Sequence, residues 1–160
     1  MITQLRIDDR LFHGEIIVLW VPSLKVNTVV VADDAYASNK LNIVTANLSK
    51  PKYIKLNILS IEDAIKYVSD PEHQKEKILV TCYDPQNALK ICNAVPDIPE
   101  VNAACMRYSE GKKQIEKKVF VDQKDIEDLI EIEKMGKKVF QQSVPADSPM
   151  SLATMIKKAQ

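Results

Sequence analysis

Short apolar runs rich in Val, Ile and Leu alternate along the chain with longer amphipathic segments. The run from Thr28 to Ala32 is apolar after its first residue, which is the pattern of a strand buried on both faces. Similar runs predict strands at residues 2–7, 28–32, 53–59, 77–82, 101–106, 118–121 and 138–142.

The segments between these strands carry helix start and stop signals. Ser60 can cap a short amphipathic helix. Asp84 and Pro85 place an N-cap before a proline at the first helical position, and Gly136 marks a helix end. Further helices are predicted at residues 15–21, ending near Pro22, at 34–48 after an acidic cap, at 122–135 and at 151–159.

The alternation of strands and helices indicates a fold class. It predicts βαβ crossovers and an α/β fold with an open, mostly parallel central sheet and helices on both faces. No repeat or linker interrupts the pattern, so residues 1–160 are predicted to form a single domain. Ligands of such sheets bind beyond the carboxyl ends of the strands, which directs attention to the ends of the first, second, fourth and fifth strands.

Composition and charge narrow the range of functions. The 22 basic and 22 acidic residues balance, so neither nucleic acid nor an anionic membrane is expected as the main partner. No stretch approaches the roughly 20 apolar residues of a membrane helix, and the start lacks a signal peptide, so we expect a cytoplasmic protein. Cys82, Cys92 and Cys105 form no CxxC pair, which argues against disulfides and a zinc site.

Residues 8–14, which read Asp-Asp-Arg-Leu-Phe-His-Gly, gather suitable groups for phosphoryl chemistry. A neutral imidazole such as that of His13 is a nucleophile near neutral pH, and Arg10 can hold a phosphate in a planar fork. Gly14 lets backbone N–H groups approach an anion at the helix start, and a carboxylate such as Asp9 could orient the imidazole. On spacing alone, these residues could equally be caps, packing residues and ordinary ion-pair partners.

Residues 6–14 resemble the signature RIDDRLIHGQV of the IIB components of the mannose/fructose/sorbose family of the sugar phosphotransferase system. Trp20 and the segments at 106–111 and 119–128 are also similar to that family. The resemblance implies that His13 accepts a phosphoryl group from a phosphohistidine of the IIA component. It then delivers the group to a sugar carried by the membrane IIC–IID complex, with which the chain would associate peripherally. Arg10 matches the arginine that supports the phosphate, and Asp9 matches a motif acid.

Two positions depart from the family pattern. Glu15 stands in place of a glutamine, and a carboxylate beside a phosphate is repulsive unless it points away or pairs. Ala103 and Ala104 replace two glycines and could narrow the space beside the loop. The lysine pairs at 112–113 and 117–118 are ordinarily solvated, but they could dock an acidic partner.

Other interpretations stay open from the sequence. A receiver-like signalling domain also has an acid pair after its first strand, but it needs an aspartate ending the third, where residues 56–60 read Leu-Asn-Ile-Leu-Ser. A non-catalytic regulatory or binding relative of the IIB family is a second alternative. His73 is predicted to be a solvated surface residue, and Asp33 is predicted to be a cap. Neither GxxxxGK[ST] nor GxGxxG occurs, so no cofactor is expected, and a homodimer is an open possibility.

Overall fold

A seven-stranded sheet forms the centre of the computed structural model, which describes residues 1–160. The strands in chain order are β1 Ile2–Asp8, β2 Thr28–Ala32, β3 Lys55–Leu59, β4 Ile78–Cys82, β5 Glu100–Cys105, β6 Lys113–Glu116, β7 Val119–Val121, β8 Lys138–Gln141 and β9 Met150–Ser151. The sheet order is β3-β2-β4-β1-β5-β8-β9, and only the β8–β9 pair is antiparallel. β6 and β7 form a separate antiparallel hairpin. The predicted α/β class with a mostly parallel sheet is confirmed.

Seven α-helices connect or cover the strands. They are α1 Val21–Leu24, α2 Asp34–Ala37, α3 Lys40–Ser49, α4 Ile61–Ser69, α5 Pro85–Ala94, α6 Gln123–Lys134 and α7 Leu152–Ala159. Side chains cap six of them, as predicted for Asp33, Ser60 and Asp84 and also seen at Asn39, Asp122 and Ser151. None of these helices has the length and apolar character needed to cross a membrane.

Apolar cores lie on both faces of the sheet, and β2 shows why its sequence is apolar throughout. Val30 and Ala32 belong to the larger core, which α4, α5, α6 and α7 cover. Val29 and Val31 belong to the smaller core on the other face. Successive side chains of a strand point to opposite faces, so burial of both faces requires a continuous apolar run.

The helix after β1 runs further than the sequence predicted. Helical backbone extends from Gly14 to Leu24 instead of ending near Pro22. Residues Ile16–Trp20 form a π-helical turn, in which the Val21 N–H donates to the Ile16 carbonyl. This wider turn accommodates Pro22, which has no N–H and would clash with a carbonyl in a regular α-helix.

Two further boundaries differ from the prediction. The helix predicted over residues 34–48 is divided into α2 and α3, because Asn39 leaves the helical conformation and caps the second segment. β6 lies between the strands predicted at 101–106 and 118–121, where the sequence predicted none. Only Ile115 is buried in β6, so the strand has no alternating apolar pattern for the sequence to reveal.

Candidate functional site

The loop after β1 lies in the middle of the carboxyl edge of the sheet. β1 pairs with β4 on one side and β5 on the other, so its last residues are surrounded by strand ends. The Asp9 N–H donates to the Cys105 carbonyl (3.1 Å), which continues the pairing past the end of β1. This position agrees with the ligand side predicted from the strand and helix pattern.

One residue of this loop has a left-handed backbone conformation. Leu11 has φ 61°, and its N–H donates to the Asp8 carbonyl (2.9 Å). This conformation costs a non-glycine residue about 1 kcal/mol, and burial of the Leu11 and Phe12 side chains in the smaller core holds it. The left-handed turn of this loop therefore lies at Leu11 and not at its glycine, Gly14. A Cβ at Gly14 would meet nothing within 4 Å, so the space beside His13 is open.

Asp8 is the electrostatic centre of the loop. Its fully buried carboxylate accepts hydrogen bonds from Arg10 Nε and a terminal Arg10 nitrogen (both 3.1 Å) and from the Arg10 N–H (3.0 Å). It also accepts from Arg6 Nε (3.2 Å) and contacts His13 Nε2 (2.8 Å). Burial alone would raise the pKa of Asp8, but the bonds from His13 and Arg10 and the charge of Arg6 hold that pKa well below its ordinary value. Asp8 is therefore an anion in the folded protein.

The contact with Asp8 fixes the orientation of the His13 ring. A carboxylate can only accept, so Nε2 carries the proton of the neutral imidazole and Nδ1 keeps its lone pair. The His13 side chain is 16% exposed. The orienting carboxylate is thus Asp8, and not Asp9 as the sequence suggested.

Asp9 instead holds the loop that follows β5. It accepts hydrogen bonds from the Arg107 N–H (2.7 Å) and from Arg107 Nε (3.0 Å). The pairing raises the pKa of the Arg107 guanidinium, which is mostly exposed. Arg107 was not among the predicted site residues, because nothing in the spacing shows that a residue 98 positions away pairs with Asp9.

A second arginine, Arg6, supports Asp8 from inside the protein. Its side chain is completely buried, with one terminal nitrogen 3.3 Å from the Ser143 carbonyl and its guanidinium 4.9 Å from the centre of the Trp20 ring. The Trp20 Nε1–H donates to the same carbonyl (3.1 Å). Burial lowers the pKa of Arg6, and the adjacent Asp8 opposes that effect. Through these contacts, Arg6 and Trp20 connect the loop after β8 to Asp8.

Glu15, one of the departures from the family pattern, is paired on both of its oxygens. Oε2 lies 3.1 Å from a terminal nitrogen of Arg10, and Oε1 lies 2.8 Å from Lys118 Nζ in the turn between β6 and β7. The bonds from Lys118 and Arg10 lower the pKa of Glu15. Ala103 and Ala104, the other departure, are fully buried in β5 and do not line the surface.

Three depressions border the loop, and two of them are lined by several residues that follow β5. A cleft of about 390 Å³ at the ends of β1, β4 and β5 is lined by Asp9, Tyr83, Asp84, Met106, Arg107, Tyr108, Ser109 and Lys112. A recess of about 260 Å³ is lined by four cations, Arg10, Arg107, Lys117 and Lys118, together with Cys105, Tyr108 and Phe120. The basic and aromatic lining of the recess suits an anionic group.

The remaining sequence candidates lie apart from this chemistry. His73 is half-buried, stacks on Tyr67 with 3.7 Å between ring centres and contacts Glu76 (2.9 Å), so the predicted solvated position is wrong. Lys112 forms an internal ion pair with Asp125 (2.8 Å). Asp84 accepts from the Asn87 N–H (2.8 Å), as a cap does, although it also lines the cleft.

Comparison with known proteins gives the family context. A family model described as "PTS system sorbose subfamily IIB component" matches residues 2–160. The N-acetylgalactosamine-specific phosphotransferase enzyme IIB component 1 of Escherichia coli (strain K12) is 37% identical over 144 residues, covering 89% of this chain and 90% of that protein.

A solved structure and a longer relative extend the comparison. The crystal structure of the IIBSor domain of the sorbose permease from Klebsiella pneumoniae superposes with a TM-score of 0.93 and 26% identity, covering 100% of this chain and 98% of that one. The mannose-specific EIIAB component of E. coli (strain K12) is 24% identical over 96% of this chain, which spans 47% of that protein.

Proposed function

Because the chain belongs to the sorbose-type IIB components of the sugar phosphotransferase system, we propose that it accepts a phosphoryl group on His13 from a phosphorylated IIA component. It then passes this group to a sugar carried by a membrane IIC–IID complex. The observation that carries the proposal is the pair of contacts on the buried Asp8, which orient His13 through Nε2 and aim Arg10 beside it.

The ring orientation selects the accepting atom. Nε2 is engaged by Asp8, so the lone pair that attacks phosphorus is on Nδ1. As the new Nδ1–P bond forms, the P–N bond to the donor histidine breaks and the electron pair returns to the donor ring. His13 becomes a phosphorylated imidazolium whose one remaining N–H is on Nε2, and the anionic Asp8 stabilises that charge.

Arg10 and the space beside Gly14 account for binding of the phosphoryl oxygens. Asp8 holds the guanidinium plane through two of its nitrogens, which presents a planar donor group in a fixed direction. The bonds to Asp8 and Glu15 outweigh the effect of burial and raise the pKa of Arg10, so it stays charged. Preorganised charge of this kind stabilises a transferring phosphoryl group without a metal or nucleotide.

The partners of the chain and its location in the cell follow from the same proposal. The donor is a IIA component, the acceptor is a transported sugar, and the chain works in the cytoplasm while bound peripherally to the membrane complex. The name EIIAB of the longer E. coli relative is consistent with a IIA unit as the partner of a IIB unit. The family membership excludes the receiver-like alternative, whereas a non-catalytic IIB relative is an outcome that the following experiment can reveal.

The decisive experiment is phosphorylation by a phosphorylated IIA component of the mannose/sorbose family. We expect an acid-labile, base-stable label on His13 that is absent from His13→Ala, and His73→Ala is the matched control that keeps it. NMR of ¹⁵N-histidine-labelled protein is expected to show the phosphoryl group on Nδ1. An acid-stable label, or one that survives in His13→Ala, would contradict the assignment. Complete absence of label would favour the non-catalytic relative.

A further inference from the structure

Glu15 is paired with the cationic side chains that a phosphoryl group beside His13 would need as hydrogen-bond donors. Its two oxygens bind one terminal nitrogen of Arg10 and the Nζ of Lys118, at 3.1 and 2.8 Å. Carboxylate and phosphate oxygens take the same donors at similar distances, and both are bound well by an arginine fork. The carboxylate of Glu15 therefore has the contacts of an anion bound between the loop and the β6–β7 hairpin.

The parts of this arrangement differ in how readily they can move. Asp8 and Arg6 are fully buried and hold each other. The side chains of Arg10, Glu15 and Lys118 are 27%, 29% and 36% exposed, so each has solvent on one side. Glu15 can therefore leave its partners for water, whereas Asp8 cannot.

Charge at the loop also favours release of Glu15. Three cations, Arg6, Arg10 and Lys118, face two carboxylates, Asp8 and Glu15. Phosphorylation adds close to two negative charges on the phosphoryl group and one positive charge on the His13 ring, which together use up the one cation left uncompensated. The ring charge faces Asp8, so Glu15 and the phosphoryl group compete for Arg10 and Lys118, and the carboxylate, which carries the smaller charge, gives up these contacts.

We propose that Glu15 is an internal substitute for the phosphoryl group, which holds Arg10 and Lys118 in place until His13 is phosphorylated and then releases both. Lys118 thereby becomes a second phosphate-binding side chain, delivered by the hairpin. This inference rests on the proposed function of His13. Because Glu15 stands in place of an uncharged glutamine, it competes with the phosphoryl group for Arg10 and Lys118. This competition weakens the binding of the phosphoryl group to both side chains.

The charged groups that contact Glu15 come from its own loop and from the β6–β7 hairpin. Arg10 faces it from its own loop, and Lys118 faces it from the hairpin. Asp8 shares a terminal nitrogen of Arg10 with it, and the Asp8 oxygen that binds this nitrogen also contacts His13 Nε2. No other ion pair involves Glu15.

The test uses chemical phosphorylation of the intact chain with phosphoramidate, so that no protein donor is required. Wild type, Glu15→Gln, Lys118→Gln and Lys75→Gln are compared by ³¹P NMR titration of the phosphoryl group on His13. Lys75→Gln is the matched control, because Lys75 is exposed and lies before β4, at the opposite end of that strand from the site. In wild type, the ¹³C resonance of the Glu15 carboxyl group is followed before and after phosphorylation.

We expect the pKa of the phosphoryl group to fall by about half a pH unit in Glu15→Gln and to rise by a similar amount in Lys118→Gln, with little change in Lys75→Gln. The Glu15 carboxyl resonance should move on phosphorylation, because its two cations leave it. An unchanged Glu15 resonance, or a Lys118→Gln titration that matches Lys75→Gln, would overturn the inference. If phosphoramidate labels His13 but phosphorylated IIA does not, the proposed function fails while the role of Glu15 is still tested.

Discussion

At the residue scale, the site depends on Asp8, a carboxylate that the protein keeps charged in its interior. It faces Arg6, Arg10 and His13 at once, so its removal leaves a buried arginine without a counter-charge and a histidine without an orienting group. Unpaired buried charges are among the most destabilising defects in proteins. The stability of the fold and the orientation of His13 therefore rely on the same side chain.

Asp8→Asn is predicted to reduce the free energy of unfolding by about 3 kcal/mol at neutral pH, because Arg6 loses its buried counter-charge. The folded-state pKa of Asp8 lies below its unfolded value of about 3.9. Its stabilising contribution is thus complete above that value and is lost as the pH falls through the folded pKa. Urea unfolding at several acidic pH values should show a shallower loss of stability in Asp8→Asn than in wild type. Asp147→Asn, at an exposed loop residue, is the control, and parallel pH curves for all three proteins would contradict the prediction.

Arg10→Lys is predicted to slow phosphoryl transfer to His13 by about tenfold or more, because an ammonium group cannot present the planar fork that Asp8 aligns. The rate is measured by rapid quenching with phosphorylated IIA, and circular dichroism checks that the fold is kept. Arg107→Lys is the comparison at a mostly exposed arginine paired with Asp9. Equal rates for Arg10→Lys and wild type would remove Arg10 from the mechanism.

The sequence located the reactive loop but misassigned its carboxylate, and the reason is a boundary error of one residue. β1 was predicted to end at Ile7, whereas it continues through Asp8. Alternate residues of a strand share a face, so Arg6 and Asp8 point the same way and Asp9 points elsewhere. The signal available in the sequence was the spacing of two between Arg6 and Asp8, which places both side chains on the same face of a strand.

At the scale of elements, the sequence predicts the helix caps but not the irregular turns. Ser60, Asp84 and Asp122 precede apolar helical patterns and cap the helices that follow. The π-helical turn and the β6–β7 hairpin depend on contacts that no local pattern encodes. The hairpin brings Lys118 to Glu15 across 103 residues of sequence, which is the contact on which the inference about Glu15 rests.

Asp122→Ala is predicted to lower the free energy of unfolding by about 1 kcal/mol, because α6 begins with a capping box formed by Asp122 and Asp125. The Asp122 carboxylate accepts from the Asp125 N–H (2.8 Å), and this donor would be left unpaired. Chemical denaturation measures the change, and Asp147→Ala removes an exposed acid outside any helix as the control. A loss no larger than that of the control would show that the box contributes nothing.

At the scale of the whole molecule, we propose that residues 1–160 unfold as one cooperative unit. Trp20, the only tryptophan, is buried and joined to the Ser143 carbonyl (3.1 Å), so its fluorescence reports on contacts between distant parts of the chain. Denaturation curves from Trp20 fluorescence and from far-ultraviolet circular dichroism are predicted to coincide. Two separated transitions would contradict the single domain, and light scattering on the same samples tests the homodimer.

The order of the sheet also determines when the reactive loop can assemble during synthesis. β1 leaves the ribosome before its neighbours β4 and β5, which begin only at Ile78 and Glu100, and Arg6 contacts a carbonyl at Ser143. Strands that must wait for distant partners pair late, after the intervening chain is available. A nascent or truncated chain therefore exposes the histidine motif without the contacts that orient His13, so under the proposed function we expect incomplete products to be poor phosphoryl acceptors.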